Sequence, residues 1–516
     1  MTENRKSWAL MAALWALLLV LAALRPLALP DEGRYAEVGR WMLVSGDWLT
    51  PRLNGLPFFH KPPLLHWLQA LSLATFGVSA WAARLVPALH AGLMLVALYL
   101  AAQRVSTPAV ARRAVLMLGT SLGFLLAGQY ANHDMLVAAW IGVAIWSFAL
   151  AFLHGHRPHP GWARLGFVAC ALGVLSKGLI GLALPGLVLL VWLLWTRQWA
   201  KVLHLPWLSG LALFAAIALP WFVLAQQRYP DFFGYLFGVQ QVNRFTGTTF
   251  NNPHPVWFYL PVLAGLFFPW IFLVLKQLKA PFQQAQAAPD AIAKPVWLLC
   301  WIWLGVIVGF FSIPTSKIVG YVLPVLPPLA LLAALGWQRW MDERERTGAG
   351  RLFTAGCLLA VVAAVVLNGV AGRYSATHST QDIAQTLACQ ASPTDTVYAA
   401  GEYPYDLPFY TQAVQPMVVV QDWPEVRQKA QDSWRRELFE AANFEPATAQ
   451  VLQNPEALET AVQEPGRWLV APKEIDPEEI PPGWVLVQHG SGWDLWRSAP
   501  QPVVVAGQPR LAGCRP

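Results

Sequence analysis

Long apolar runs recur through residues 1–372 of the 516-residue chain, and they limit what the chain can fold into. A helix needs about 20 apolar residues to cross the hydrocarbon core of a bilayer. The runs are 8–24, 64–77, 81–102, 111–127, 135–153, 163–176, 178–195, 205–225, 255–276, 296–312, 318–338 and 352–371. Hydrophobic residues make up 56% of the chain, which is unusual for soluble domains. The pattern predicts a mostly α-helical protein that crosses a membrane many times.

The connections between the runs predict the orientation of the helices, because basic loops favour the cytoplasmic side. The basic connections are 104–113, 154–164, 196–201, 276–279 and 338–346. The less basic connections, predicted to lie outside, are 128–134, 176–177, 226–254 and 312–317. The alternation is consistent if the short run 64–77 does not cross, or if the list of runs lacks one span elsewhere. This predicts an odd number of about 11 to 13 spans and an external C-terminal domain.

The sequence changes character near residue 373, where shorter mixed patterns replace the apolar runs. The predicted elements are helices at 380–390 and 423–442 and strands at 396–401, 416–422, 467–473, 484–490 and 493–497. We therefore expect a transmembrane domain at 1–372, with external loops 30–63 and 226–254, and a soluble α/β domain at 373–516, which is a normal domain size.

Charge and cysteine usage exclude some classes of protein. The net charge of +7 does not indicate nucleic-acid binding, because Lys and Arg lie mostly in short connections between apolar runs. Three cysteines, Cys170, Cys300 and Cys357, lie inside apolar runs and are expected to pack there. Cys389 and Cys514 lie in the polar C-terminal region without metal-type spacing. They could pair if that region faces an oxidising compartment.

Residues 30–67 concentrate charge beside the first apolar run, although only 13% of the chain is charged. Pro30 and Asp31 predict a helix start, and Ser45-Gly46 predicts its end. An apolar stripe of helical spacing predicts an amphipathic helix that lies on the outer surface. Asp31 and Arg34 are three residues apart and can share one face of this helix. They are interpreted either as chemistry on a charged lipid headgroup or as a cap and a surface ion pair.

Further polar residues fall on the side predicted to be external. They are Lys61 before a helix start, Asn132, His133 and Asp134 at the mouth of a span, Lys177 at a Gly-broken turn, Lys317 and Tyr321, and Gln240, Gln241, Arg244 and His254 in the loop 226–254. Backbone N–H groups at a helix start favour an anion such as phosphate, but Lys61 alone is better interpreted as an interfacial lysine. The loop residues are interpreted either as the lining of a site or as part of an interfacial loop with aromatic anchors. Ionisable groups beside membrane helices indicate function by default, although His133 alone favours a structural role.

Several segments together resemble one family. They are PDEGRYAE, SGDWLTPRLNG with KPPL, YANHDML, SKGLIGLALPG and SK followed by YVLPVLPPLALL, and they span roughly residues 5–340 in order. They are similar to the bacterial aminoarabinose transferases that modify lipid A and to related glycosyltransferases of the GT-C superfamily, which includes the protein O-mannosyltransferases. The resemblance implies a multi-pass protein of the bacterial inner membrane, with a catalytic membrane domain and with the active site and the C-terminal domain in the periplasm.

The resemblance also implies roles for individual residues. Asp31 matches the family's essential acid in the first external loop, and Asp134 matches a second acid. Arg34 and Lys61 match contacts to the donor phosphate. The remaining residues assigned to the donor site are Tyr321, Lys317, Arg244 and Lys177, the last by its KG motif only.

Two departures from the family pattern concern a metal. The family usually has FEKPP and EHxxRF, whereas this chain has FFHKPP with His60 and QQVNRF with Gln240 and Gln241. The family's Glu and His positions can hold a divalent metal, and replacing His by Gln removes a good ligand. His60 and His254 are therefore only minor candidates for metal ligands. We expect no required cofactor and little or no metal binding at this place.

The function implied is inverting transfer of a sugar, of pentose, aminopentose or uronic type, from a polyprenyl-phosphate donor to lipid A, another glycan or a protein. The cations would stabilise the charge that develops on the leaving phosphate, and Asp31 would accept a proton from the acceptor hydroxyl or orient it. Expected partners are the lipid-linked donor, the acceptor and membrane lipids, for a monomeric protein. The alternatives are a polytopic transporter or flippase and a non-catalytic family member.

Overall fold

The structure, a computed structural model, describes residues 3–243, 252–277, 293–342, 347–429 and 433–498. Two compact units divide the chain. The first comprises residues 1–23, 60–65 and 84–368, and the second comprises residues 24–59, 66–83 and 369–516. This division groups 24–59 and 66–83 with the C-terminal residues, and the domain boundary at residue 372 stays a prediction.

Helices dominate the described chain up to residue 378. They are α1 (Glu3–Ala22), α2 (Asp31–Ser45), α3 (Leu64–Phe76), α4 (Ala80–Val105), α5 (Pro108–Thr120), α6 (Leu122–Ala127), α7 (Asp134–Leu153), α8 (Pro160–Lys177), α9 (Ile180–Trp195), α10 (Trp207–Arg228), α11 (Tyr259–Leu266), α12 (Ile271–Leu275), α13 (Lys294–Ser312), α14 (Leu326–Trp337) and α15 (Ala349–His378). The 3-10 segments are Trp199–His204 and Val319–Val325, and the π-helical segments are Gly234–Asn243 and Gln338–Asp342. Strands β1 (Arg52–Leu53) and β2 (Leu56–Pro57) form an antiparallel pair.

Seven helices within the described ranges are long and apolar enough to cross a membrane. They are Asn4–Ala22, Ala80–Val105, Asp134–Leu153, Trp207–Arg228, Lys294–Ser312, Val319–Trp340 and Ala349–His378. The apolar window of Asp134–Leu153 is 83% buried, whereas that of Ala349–His378 is 17% buried, so the latter is suited to contact with lipid. The prediction of a mostly helical multi-pass membrane protein is confirmed, and the odd number fits. The larger total of about 11 to 13 spans, for which shorter apolar helices would be needed, stays a prediction.

Close packing between α8 and α9 depends on glycine. A Cβ added to Gly181 would lie 2.1 Å from the backbone carbon of Gly173, so neither helix could approach the other so closely with a larger residue at this point. The turn between these helices contains Gly178, whose φ of +87° favours glycine. The broken turn that the sequence predicts at Lys177 therefore exists, and it places Lys177 at the C-terminal end of α8.

The C-terminal residues form a mixed α/β domain. Its elements are α16 (Gln381–Gln390), β3 (Thr396–Ala400), α17 (Leu407–Thr411), β4 (Val418–Val420), α18 (Trp423–Lys429), α19 (Trp434–Phe444), a 3-10 turn (Pro446–Val451), β5 (Leu452–Gln453), α20 (Glu456–Ala461), β6 (Arg467–Pro472), a 3-10 turn (Pro477–Glu479), β7 (Trp484–His489) and β8 (Trp493–Ser498). The predicted helix at 380–390 and the predicted strands are confirmed. The single helix predicted at 423–442 is wrong, because Ser433 has an extended backbone, with a φ of −152° and a ψ of 169°, directly before α19 begins at Trp434.

A six-stranded sheet organises this domain in the order β5-β4-β3-β6-β8-β7. The first four strands are parallel, with Tyr398 opposite Val418 and Thr396 opposite Arg467. The last two strands add antiparallel pairs, with a register shift between Leu486 and Gln488. The parallel strands carry short buried runs, as expected for a sheet covered by helices. Cys389 is disulfide-bonded, whereas Cys514 lies outside the described residues.

Helix α2 has the bounds that the sequence predicts, and Gly46 ends it in the left-handed conformation with a φ of +66°. Its location on the outer membrane surface stays a prediction. Its residues Glu32, Glu37 and Arg40 are buried in the second unit, and Val38 belongs to the same apolar core as Trp468. The charged side chains tolerate burial because they are paired: Glu32 with Arg25, and Glu37 with Arg40.

Candidate functional site

Asp134 begins α7 and is held there by the residues just before it. Its carboxylate accepts a hydrogen bond from the Asn132 side-chain Nδ2 at 2.9 Å, and the Asn132 side-chain Oδ1 accepts from the Asp134 backbone N–H, also at 2.9 Å. The His133 ring donates from Nδ1 to the Ser176 carbonyl at 2.8 Å. The helix dipole favours a carboxylate at this end of α7. The local sequence therefore fixes where the acid points.

Lys177 supplies the counter-charge to Asp134. Its ammonium forms an ion pair with the Asp134 carboxylate, and the side chains are 11% and 10% exposed. A lysine suits the C-terminal end of α8 for the same reason that an aspartate suits the start of α7. The contact between His133 and Ser176 joins the residues directly before this pair. The structure thus brings together two residues that the sequence assigns to separate external turns.

Tyr321 completes this cluster from a third element, the 3-10 segment Val319–Val325. The Lys177 ammonium lies 4.7 Å from the centroid of the Tyr321 ring, within the range of a cation–π contact. A Cβ added to the neighbouring Gly320 would lie 2.1 Å from an Asp134 carboxylate oxygen. The close approach of Asp134 therefore requires glycine at this position. We refer to Asp134, Lys177 and Tyr321 as the membrane-unit cluster.

Lys317 lies nearby in sequence but makes different contacts. It is 3% exposed, and its ammonium donates to the backbone carbonyls of His254, at 2.9 Å, and of Pro314. Backbone hydrogen bonds also join Lys317 to Asn252 and His254 to Thr315. The His254 ring stacks on Phe258 with centroids 4.1 Å apart. Lys317 therefore ties two connecting segments together, and a role at the donor phosphate stays a prediction.

His60 contacts the segment 234–243. Two positions at which this chain departs from the family pattern, His60 and Gln240, are thereby joined through hydrogen bonds. Its Nε2 lies 2.7 Å from the Tyr235 hydroxyl, which also accepts a hydrogen bond from the Gln240 side chain at 3.0 Å. His60 is 9% exposed and Gln240 is 7% exposed. Sequence reasoning missed Tyr235, because nothing in its local pattern distinguishes it from an interfacial anchor.

Lys61 follows His60 and is partly buried. The predicted site residue Arg244 lies outside the described residues.

Asp31 and Arg34 belong to the second unit, where a third residue joins them. Arg34 forms an ion pair with Asp31 and donates from one guanidinium nitrogen to both carboxylate oxygens of Glu437, at 2.6 Å each. Burial disfavours the charged guanidinium, but Glu437 and the other negative groups around it outweigh burial and raise the pKa of Arg34 above its ordinary value. We refer to Asp31, Arg34 and Glu437 as the α2 cluster.

Exposure separates the members of the α2 cluster. The Asp31 side chain is 41% exposed, whereas those of Arg34 and Glu437 are 12% and 15% exposed. Asp31 can therefore meet a substrate from solvent, while the Arg34 guanidinium is already occupied by carboxylates. Sequence reasoning missed Glu437, because no motif marks one acid of α19 among its neighbours.

The sequence is similar to those of known membrane transferases. The family model described as dolichyl-phosphate-mannose-protein mannosyltransferase matches residues 5–236. The undecaprenyl phosphate-alpha-4-amino-4-deoxy-L-arabinose arabinosyl transferase of Pseudomonas paraeruginosa is 33% identical over 373 residues, which cover 71% of this chain and 66% of that protein. A protein of Pseudomonas fluorescens with the same name, numbered transferase 1, is 33% identical over 323 residues, which cover 61% of this chain and 55% of that protein. The chain therefore matches between about half and two thirds of the length of these relatives.

Solved structures extend the similarity over nearly the whole chain. The crystal structure of ArnT from Cupriavidus metallidurans bound to undecaprenyl phosphate is 26% identical, covers 98% of this chain and 99% of that one, and superposes with a TM-score of 0.78. Helical membrane segments followed by a small mixed sheet define a membrane protein of the GT-C class. Within that class the chain belongs to the aminoarabinose transferase-like family, related to the protein O-mannosyltransferases.

Proposed function

We propose that the chain is an integral-membrane glycosyltransferase that transfers a sugar from a polyprenyl-phosphate donor to an acceptor at the periplasmic face. The observation that carries this proposal is the near full-length similarity to a structure bound to undecaprenyl phosphate. The curated relatives are arabinosyl transferases by name, so a 4-amino-4-deoxy-arabinose donor and a lipid A acceptor are the first substrates to test.

The membrane-unit cluster suits the donor phosphate. The leaving phosphate is already a good leaving group and needs positive charge as the glycosidic bond breaks. Lys177 is held by Asp134 and Tyr321, which fix its position before any ligand arrives. We assign Lys177 and Lys61 as donor-phosphate contacts, with Tyr321, Lys317 and Arg244 as further members of that site. Asp134 then acts as the residue that positions Lys177.

Asp31 is assigned as the residue that accepts the acceptor's proton or orients its hydroxyl for attack on the anomeric carbon. Its exposed carboxylate and its fixed contact with Arg34 support this role. A single displacement at the anomeric carbon inverts it and requires no covalent intermediate. The predicted contact between Arg34 and the donor phosphate receives less support, because its guanidinium contacts Glu437 and Asp31. We assign Arg34 to positioning Asp31.

A reconstituted assay tests the proposal. Full-length protein in nanodiscs is supplied with undecaprenyl-phosphate-linked aminoarabinose and lipid A, and modified lipid A is detected by mass spectrometry. We expect transfer that depends on the lipid-linked donor and inverts the anomeric carbon. Movement of the donor across a vesicle bilayer without transfer would favour the flippase alternative, and donor binding without transfer or movement would favour a non-catalytic family member.

A further inference from the structure

The positions at which the family resemblance implies a metal carry other residue types in this chain, His60, Gln240 and Gln241. His60, Tyr235 and Gln240 form one hydrogen-bonded chain through the Tyr235 hydroxyl, with distances of 2.7 and 3.0 Å. All three residues lie in the first unit, with Gln240 on the π-helical segment Gly234–Asn243. We call this arrangement the tyrosine bridge. It joins residue 60, directly before Lys61, to the segment 234–243.

The residues of the tyrosine bridge do not fit a metal site. Zinc prefers thiolate, imidazole and carboxylate ligands, usually four of them in structural sites and three in catalytic sites. Here the His60 Nε2 contacts a hydroxyl, the Tyr235 oxygen contacts both His60 and Gln240, and Gln240 offers an amide oxygen in place of a carboxylate. Within the described residues, no group of three or more His, Cys, Asp or Glu could hold a metal ion.

The bridge has the features of a structural tether. His60 and Gln240 are both more than nine-tenths buried, and a buried hydrogen bond is costly to leave unmade. Lys61 is followed by Pro62 and Pro63, which restrict the backbone around it. Fixing the His60 ring on one side of Lys61 and the prolines on the other therefore limits the positions that its ammonium can reach.

We propose that the tyrosine bridge replaces the family's metal and holds Lys61 in position for the donor phosphate, with Tyr235 as a positioning residue. This inference rests on the proposed function, because Lys61 is assigned there to the donor. It means that binding of the polyprenyl phosphate is independent of metal in this chain and depends on three hydrogen-bonded side chains instead.

The test measures zinc content and undecaprenyl-phosphate affinity of the full-length protein in nanodiscs. We expect the wild type to bind no stoichiometric zinc and to keep the same Kd with and without chelator. Tyr235→Phe should raise the Kd for undecaprenyl phosphate about tenfold, since it removes two hydrogen bonds. Tyr374 is an exposed tyrosine, so Tyr374→Phe is the matched control and should leave the Kd unchanged. Thermal unfolding of each variant is measured in parallel, and Gln240→Leu is tested as a second variant. Together they distinguish loss of the tether from loss of the fold.

A second experiment restores the residues of the family pattern. The substitutions His60→Glu, Gln240→Glu and Gln241→His together restore all three positions, and we expect this triple variant to bind zinc and to make the Kd zinc-dependent. Stoichiometric zinc in the wild type, chelator-sensitive affinity, an unchanged Kd in Tyr235→Phe or absence of any zinc effect on the triple variant would each overturn the proposal. A wild type that binds no undecaprenyl phosphate contradicts the proposed function, while the zinc measurements still decide whether the bridge is metal-free.

Discussion

Asp134 in the membrane-unit cluster and Asp31 in the α2 cluster both pair with a cation, but their exposure differs: 10% of the Asp134 side chain is exposed, against 41% for Asp31. Asp134 also accepts from Asn132 and lies against Gly320, so it is enclosed. Asp31 keeps an open face while Arg34 and Glu437 lie deeper. An enclosed acid is suited to holding a cation in place, whereas an open acid can act on a substrate. The two similar ion pairs therefore suggest different roles.

The largest effect should come from the open acid. Asp31→Asn keeps the side-chain size but removes the proton acceptor, so the transfer rate should fall at least about 100-fold, the usual contribution of general-base catalysis. The initial rate of lipid A modification measures this, with Glu474→Gln, an exposed carboxylate of the second unit, as the control. Donor affinity should remain near that of the wild type. Transfer at the wild-type rate would remove Asp31 from the chemistry.

The enclosed pair should respond mainly in stability. Lys177→Ala leaves the Asp134 carboxylate without its cation, and breaking a buried pair in this way costs about 3–5 kcal/mol of unfolding free energy. Denaturation in mixed micelles measures the loss. The double variant with Asp134→Asn should regain most of the stability, because no uncompensated charge remains, yet still bind undecaprenyl phosphate poorly. Wild-type affinity in the double variant would contradict the assignment of Lys177 to the donor.

The unfolding free energy should depend on pH through Asp406, a residue of the second unit. Burial raises the pKa of Asp406 to about 6, against the opposing hydrogen bonds from Ser379 and Thr380. A carboxyl with a raised pKa stabilises the fold below its unfolded pKa of about 4, and that contribution is lost as the pH rises through about 6. The unfolding free energy of the wild type relative to Asp406→Asn should therefore fall by about 3 kcal/mol between pH 4 and pH 7. A difference that does not vary with pH would contradict the raised pKa.

The smallest effect should come from Glu437. Glu437→Gln removes one of the two charges that hold Arg34, while the contact between Arg34 and Asp31 remains, so kcat should fall about threefold to tenfold with the donor KM unchanged. Glu440→Gln on the same helix, which breaks an ion pair with Arg436, is the matched control. A fall in kcat in both variants, or a change only in the donor KM, would argue against a positioning role for Glu437.

Much of the fold was predictable because its signals are local. Long apolar runs specify membrane helices, and α2 begins at Asp31 and ends before Gly46 as its capping residues indicate. The strands of the C-terminal domain follow from short runs of β-branched and aromatic residues. The predicted helix 423–442 failed because α18 and α19 share a helical composition across the break, and composition does not mark where one ends.

The candidate site was predictable only in part. Asp134, Lys177 and Tyr321 were each chosen from the sequence, and the structure brings them together from α7, α8 and a 3-10 segment. Tyr235 and Glu437 were missed because their partners His60 and Arg34 are 175 and 403 residues away in sequence. Pairings of this kind depend on long-range packing, which no local pattern encodes.

The sequence by itself determined the membrane helices, the mixed C-terminal domain and the residue types available for phosphate chemistry, since hydropathy and charge act residue by residue. Only the tertiary structure decided which charges are enclosed and which stay open. It buried Glu32, Glu37 and Arg40 of α2, which hydropathy assigned to a surface, because Glu32 pairs with Arg25 and Glu37 pairs with Arg40. It also joined His60 to Gln240 through one tyrosine hydroxyl, a contact that depends on the packing of segments far apart in the chain.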